Sequence, residues 1–101
     1  MADYVTKVMD KLTEGLGKSP RQTNTGYVYI LNDSNLFSKA VGILNTLVDL
    51  YLDYPINDMQ VDDDGNTTYM TNSYSVIDST SVINAIISID SDYSRVEIDI
   101  E

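Results

Sequence analysis

The sequence predicts an α+β fold of two layers, with two helices from the N-terminal half on one face of a mostly antiparallel sheet of about five strands, in the order α-β-α-β-β-β-β. Three observations predict it. Residues 2–16 and 33–55 repeat apolar residues at helical spacing. The closing stretch RVEIDIE alternates apolar and charged residues. Between them lie short β-prone stretches separated by turn residues, of which Asp64-Gly65 is the sharpest turn signal. At 101 residues the chain is read as one domain, long enough to bury a core.

Residues 2–16 place Val5, Val8, Met9, Leu12 and Leu16 on one helical stripe, with Asp3, Thr6, Lys7, Asp10, Lys11 and Glu14 opposite. Asp3 and Lys7 form a favourable i,i+4 pair, and Gly15 and Gly17 mark the end. Residues 17–26, GKSPRQTNTG, read as a polar connector and lack the phosphate-loop pattern. Tyr27 to Leu31 form the first strand. Val28 and Ile30 take one face and Tyr27, Tyr29 and Leu31 the other. Both faces are apolar or aromatic, which places this strand centrally or sets its outer face against something else.

The longest periodic run is Asp33 to Pro55, read as one long helix. Asp33 or Ser34 caps its start, because a side-chain oxygen there accepts from free backbone N–H groups. Pro55 stops it. One row holds Phe37, Ala40, Val41, Leu44, Val48, Tyr51 and Leu52, and a second holds Leu36, Ile43, Leu47, Leu50 and Tyr54. The polar row is narrow, so the helix is expected to be covered on most of its circumference, by the sheet on one flank and by the first helix or a partner subunit on the other.

Residues 56–61 read as a short strand, Asp62 to Asn66 as a hairpin turn and residues 67–78 as a longer strand. A calcium loop is the rival for Asp62–Asn66. It fails at both ends, because Gly65 at its sixth position sets Gln60 at the first and Thr71 at the twelfth. In residues 79–90, Val82, Ile83, Ile86 and Ile87 fit a helix, whereas Ile83, Ala85, Ile87 and Ile89 fit a strand. The density of β-branched residues favours the strand. Residues 90–94 then turn. From Arg95 to Glu101, Val96, Ile98 and Ile100 point inward and Arg95, Glu97, Asp99 and Glu101 outward, as on an edge strand protected by its charges.

Composition excludes several chemistries. With no Cys and no His there is no disulfide framework, thiol nucleophile, histidine base or zinc site of the usual kind. No cofactor and no metal are expected, and carboxylate pairs such as Asp49 and Asp53 read as a solvated helix face, so the chain is read as non-enzymatic. The net charge is −10. Residues 1–21 hold four cations and three anions, whereas residues 22–101 hold only Lys39 and Arg95 against thirteen acids. Such a surface disfavours direct nucleic-acid binding and suits a protein partner with a basic surface. No signal peptide and no membrane span are read, and a cytoplasmic location follows as the expectation.

Eight tyrosines supply nearly all the aromatic surface. Tyr4, Tyr27, Tyr29, Tyr51 and Tyr54 lie in apolar contexts and read as core. Tyr69, Tyr74 and Tyr93 lie in polar ones and read as contact residues. The expected partner-binding set is Asp58, Asp62, Asp63, Asp64, Tyr69, Asp90, Asp92, Tyr93, Glu97, Asp99 and Glu101. In size and composition the chain resembles the small acidic inhibitors that phages and mobile elements carry against host nucleases. That resemblance implies an interaction module masking a basic, nucleic-acid-binding surface. The alternative reading is a structural or assembly component of a virion or other symmetric particle, a homo-oligomer in contact with copies of itself.

Overall fold

A computed structural model describes residues 4–77, 83–90 and 95–101, with the backbone alone described at Asp58 and at residues 67–70. Helix α1 (Tyr4–Leu16) leads through β1 (Arg21–Gln22) to β2 (Gly26–Ile30), helix α2 (Ser34–Thr46), β3 (Ile56–Val61), β4 (Thr67–Ile77), β5 (Ile83–Asp90) and β6 (Arg95–Ile100). The strands form one six-stranded sheet in the order β1-β2-β6-β5-β4-β3, and every neighbouring pair is antiparallel. Both helices lie on one face, giving the two-layer α+β architecture that the sequence predicts. One strand more than expected is present.

The core lies between the helices and the inner face of the sheet. Val8, Leu12 and Leu16 of α1 and Ala40 and Leu44 of α2 meet Tyr29, Val96, Ile98, Ala85, Ile87, Ile89, Tyr74 and Val76. The period-2 reading of the last strands holds in their middle, where Ala85, Ile87, Ile89, Val96 and Ile98 are buried and Arg95, Glu97 and Asp99 alternate with them, but Ile83 and Ile100 at the strand ends are exposed rather than inward. Burial of a side chain this size stabilises the fold by roughly 1.5–3 kcal/mol each. Two buried tyrosines satisfy their hydroxyls within the core. Tyr29 donates to the Met9 carbonyl and shares a hydrogen bond with the Thr13 hydroxyl, both at 2.9 Å. Tyr74 donates to Asn45 Oδ1 at 2.6 Å.

Several expectations are corrected. The second helix starts at its Asp33 cap, whose Oδ1 accepts from the Asn35 N–H at 2.7 Å, but it ends at Thr46 rather than near Pro55. The Thr46 hydroxyl donates to the Ile43 carbonyl at 2.6 Å, and Asp49 adopts a left-handed φ of 70°, which a short polar residue tolerates and a helix does not. Residues 47–54 instead fold into a compact turn. Leu52 bridges to Val76, and the Asp53 N–H donates to the Ser75 carbonyl at 2.9 Å. Leu47 and Leu52 are buried, whereas Leu50 and Tyr54 are exposed, so Tyr54 is not core. Tyr51 meets the Tyr4 ring at a centroid distance of 5.0 Å.

The polar connector holds β1, which pairs with β2 through two residues only. The final strand is not an edge. It lies between β2 and β5, and its charges suit it because they face the side that no helix among the described residues covers. Close approach at the turn into β2 explains Gly26: a Cβ there would stand 1.9 Å from the Ile98 carbonyl oxygen.

Candidate interaction surface

Strand register sets the side chains of the outer face in rows. One row runs Ile30, Arg95, Asp90 and Thr71 across four strands, with the Asp58 backbone of β3 in register beside Thr71. The next runs Val28, Glu97, Ser88, Ser73 and Ile56, and a third runs Gly26, Asp99, Ile86 and Ser75. Asp90, Glu97 and Asp99 thus converge on one sheet face, among serines and threonines. Neighbouring strands hold these positions about 4.8 Å apart laterally and about 6.7 Å apart along a strand. Asp90 and Glu97 are partly buried and Asp99 is exposed.

Arg95 stands among them, its Nη2 2.6 Å from Glu97 Oε1 and its Cα opposite Asp90. The Thr25 hydroxyl donates to Asp99 Oδ1 at 2.8 Å, which fixes that carboxylate at the rim. A shallow cleft of about 180 Å³ lies there, bordered by Thr23, Thr25, Val28, Arg95, Glu97 and Asp99. Glu101 continues the outward parity of β6 past its end, is exposed, and donates its backbone N–H to the Asn84 carbonyl at 3.0 Å.

The remaining predicted residues lie elsewhere. Asp62, Asp63 and Asp64 form the exposed β3–β4 turn. Asp62 Oδ1 accepts from the Asp64 and Asn66 N–H groups at 3.0 and 2.8 Å, and Gly65 takes φ 84°. The aspartate-glycine run therefore closes a hairpin, as its residue types require. β4 runs four residues past Thr71, the partner of Asp90, so this turn projects about 13 Å beyond β5. It is not contiguous with Glu97 and Asp99. Asp58 stands in register with Thr71, and Tyr69 with Gln60. Asp92 and Tyr93 lie outside the described residues. Tyr74 is corrected: it is fully buried in the core and offers no contact surface.

Charge divides the molecule. From residue 40 to residue 94 the sequence has nine aspartates and no Lys or Arg. That stretch supplies β3, β4 and β5. Lys7 and Lys11 are exposed on α1, Lys39 on α2 and Arg21 on β1.

Two further features were not foreseen. On the inner face, a cavity of about 230 Å³ opens between α2 and the sheet, lined by Phe37, Ser38, Val41, Asn72 and Ile89. The Asn72 Oδ1 is buried without a hydrogen-bond partner. At the sheet edge, Ile56, Met59 and Val61 of β3 are 73%, 56% and 55% exposed. The only warning in the sequence was that INDMQV lacks the alternation of a strand with one covered face. Among the described residues no carboxylate is buried, and no helix is long and apolar enough to cross a membrane. No family model, curated protein or solved structure matches the chain.

Proposed function

We propose that the protein is a non-enzymatic interaction module whose open, carboxylate-bearing sheet face engages a basic surface on another protein. The observation that carries this reading is the convergence of Asp90, Glu97 and Asp99 on a face that no helix covers, next to strands without a single cation. Serine and threonine hydroxyls between the acids add hydrogen-bonding capacity without charge. A twisted sheet holds its side chains at fixed spacing, so little ordering entropy is lost when a partner docks. A basic surface of this kind is most common where a protein binds nucleic acid, and occupying it would mask that site, as small acidic inhibitors of phages and mobile elements do.

Assembly into a symmetric particle is the weaker reading. Of its three supports, the polar Ser/Thr/Asn/Tyr sheet face serves either reading, and the doubly apolar first strand and over-apolar central helix have explanations inside the chain: Tyr29 and Leu31 lie under the helices, Val28 is buried beside β6, and α2 is shorter than its apolar period. Affinity capture with the native chain and with an Asp90→Asn/Glu97→Gln/Asp99→Asn variant tests the proposal. The native chain is expected to hold a basic protein whose affinity falls at least about tenfold between low and moderate salt, and the variant to lose it. Capture that is indifferent to both salt and the three substitutions sinks the proposal.

A further inference from the structure

We propose that β3 is a docking strand whose free edge takes a short extended segment of a partner protein, basic at both ends and apolar between, as a seventh strand of the sheet. This goes beyond the outer-face reading and does not depend on it.

β3 ends the sheet on one side, with β4 on its inner flank and no strand beyond it among the described residues. An edge strand leaves alternate N–H and C=O groups unpaired and so templates another strand. The opposite edge is blunted: β1 is two residues long, follows Pro20 and contains Arg21. β3 has six residues and no lysine or arginine, and it leaves Ile56, Met59 and Val61 more than half exposed. The register shift between Gln60 and Val61 limits clean pairing to Ile56–Gln60, so the added segment spans about five residues, roughly 17 Å.

Charge selects the occupant. Exposed Asp53 lies just before β3, and exposed Asp62, Asp63 and Asp64 lie just after it. A second copy paired antiparallel would set the Asp62–Asp64 turn of each chain against Asp53 of the other. A parallel pair would set one aspartate triplet against the other. No cation between residues 40 and 94 offsets either arrangement. A segment with Lys or Arg at both ends meets opposite charge at both, and its central apolar residues cover Ile56 and Met59.

The test is amide hydrogen exchange on the isotope-labelled chain. The probe is a capped six-residue peptide with a lysine at each end and valines between, compared with the same peptide N-methylated along both edges. The unmodified peptide is expected to slow exchange at alternate amides of Ile56–Gln60 at least tenfold, and the methylated peptide to have no effect. The Asp90→Asn/Glu97→Gln/Asp99→Asn variant should keep this protection, and a Met59→Lys/Val61→Lys variant should lose it. Equal effects of the two peptides, loss of protection in the outer-face variant, or protection confined to β5 and β6 overturns the proposal. So does protection of β3 that grows with protein concentration without peptide, which assigns the edge to a second copy.

Discussion

Beneath α1 and α2, β2, β6, β5 and the C-terminal half of β4 bury Tyr29, Val96, Ile98, Ala85, Ile87, Tyr74 and Val76 completely, whereas the β3–β4 hairpin carries Met59 and Val61 more than half in solvent. Both regions belong to one continuous antiparallel ladder. Backbone pairing is therefore common to them, and burial is not. A two-stranded ribbon is marginal in water by itself, so the hairpin depends on the anchored half of β4 for its conformation. The elongated shape, 49 × 28 × 27 Å, accommodates a sheet end that outruns its helical cover. Stability is thus concentrated at one end of the molecule, and uncommitted surface at the other.

Core truncation breaks this contrast most directly. Ile98→Ala removes a fully buried side chain from the central strand and should cost about 3–4 kcal/mol in chemical denaturation. Met59→Ala, at a position 56% exposed, should stay within about 0.5 kcal/mol. A Met59→Ala cost comparable to that of Ile98→Ala would mean that something covers the hairpin in solution.

Period and parity made most of the fold legible. Ala85, Ile87 and Ile89, then Val96 and Ile98, alternate inward as their spacing predicts, and that parity put Glu97 and Asp99 on the outer face; Asp90, which the sequence places in a turn, joins them because β5 runs on to pair it with Arg95. Asp33 and Asp64-Gly65 marked a cap and a turn through their own hydrogen-bonding and φ preferences. The end of α2 was hidden because apolar residues continue at helical spacing past Thr46, while competing local hydrogen bonds and the left-handed Asp49 terminate the helix. β1 has no apolar residue to announce it. Strand order rests on long-range pairing, so charges on β6 that read as edge protection belong to a central strand with one open face. Tyr74 illustrates the same limit: its neighbours in sequence are polar, its neighbours in space are the core, and only Asn45 from α2 satisfies its hydroxyl.

The two core tyrosines sharpen the contrast through pH. Burial pushes the Tyr29 phenol above its ordinary value, with Thr13 opposing and Asp10 adding, and burial alone pushes Tyr74 up. A raised folded-state value means that the folded chain holds these protons more tightly than the unfolded chain does. The contribution is therefore complete below about pH 10 and is lost as pH rises through the folded values. Denaturation measured across that range should show stability falling less steeply in a Tyr29→Phe/Tyr74→Phe variant than in the native chain. At neutral pH Tyr74→Phe should cost about 1 kcal/mol, since it removes the hydrogen bond to Asn45 Oδ1. Equal alkaline slopes in the two proteins would show that the tyrosines are reached by solvent and that the covered end is less sealed than its burial implies.

The most local effect is expected at the hairpin tip, where two opposing terms meet. Asp62 Oδ1 accepts two backbone N–H groups, and Asp62→Ala forfeits both, loosening the turn by about 0.5–1 kcal/mol. Asp62→Asn keeps the accepting oxygen and removes one of three adjacent charges, so at low ionic strength it should match or exceed the native chain in local stability. Added salt should erase that advantage by screening the repulsion. Exchange rates at the Asp64 and Asn66 amides resolve these changes, whereas global denaturation should barely register them, because little of the core depends on the turn. A large global loss in Asp62→Ala would place the hairpin inside the cooperative unit of the fold, and the division between a sealed end and an open one would then fail.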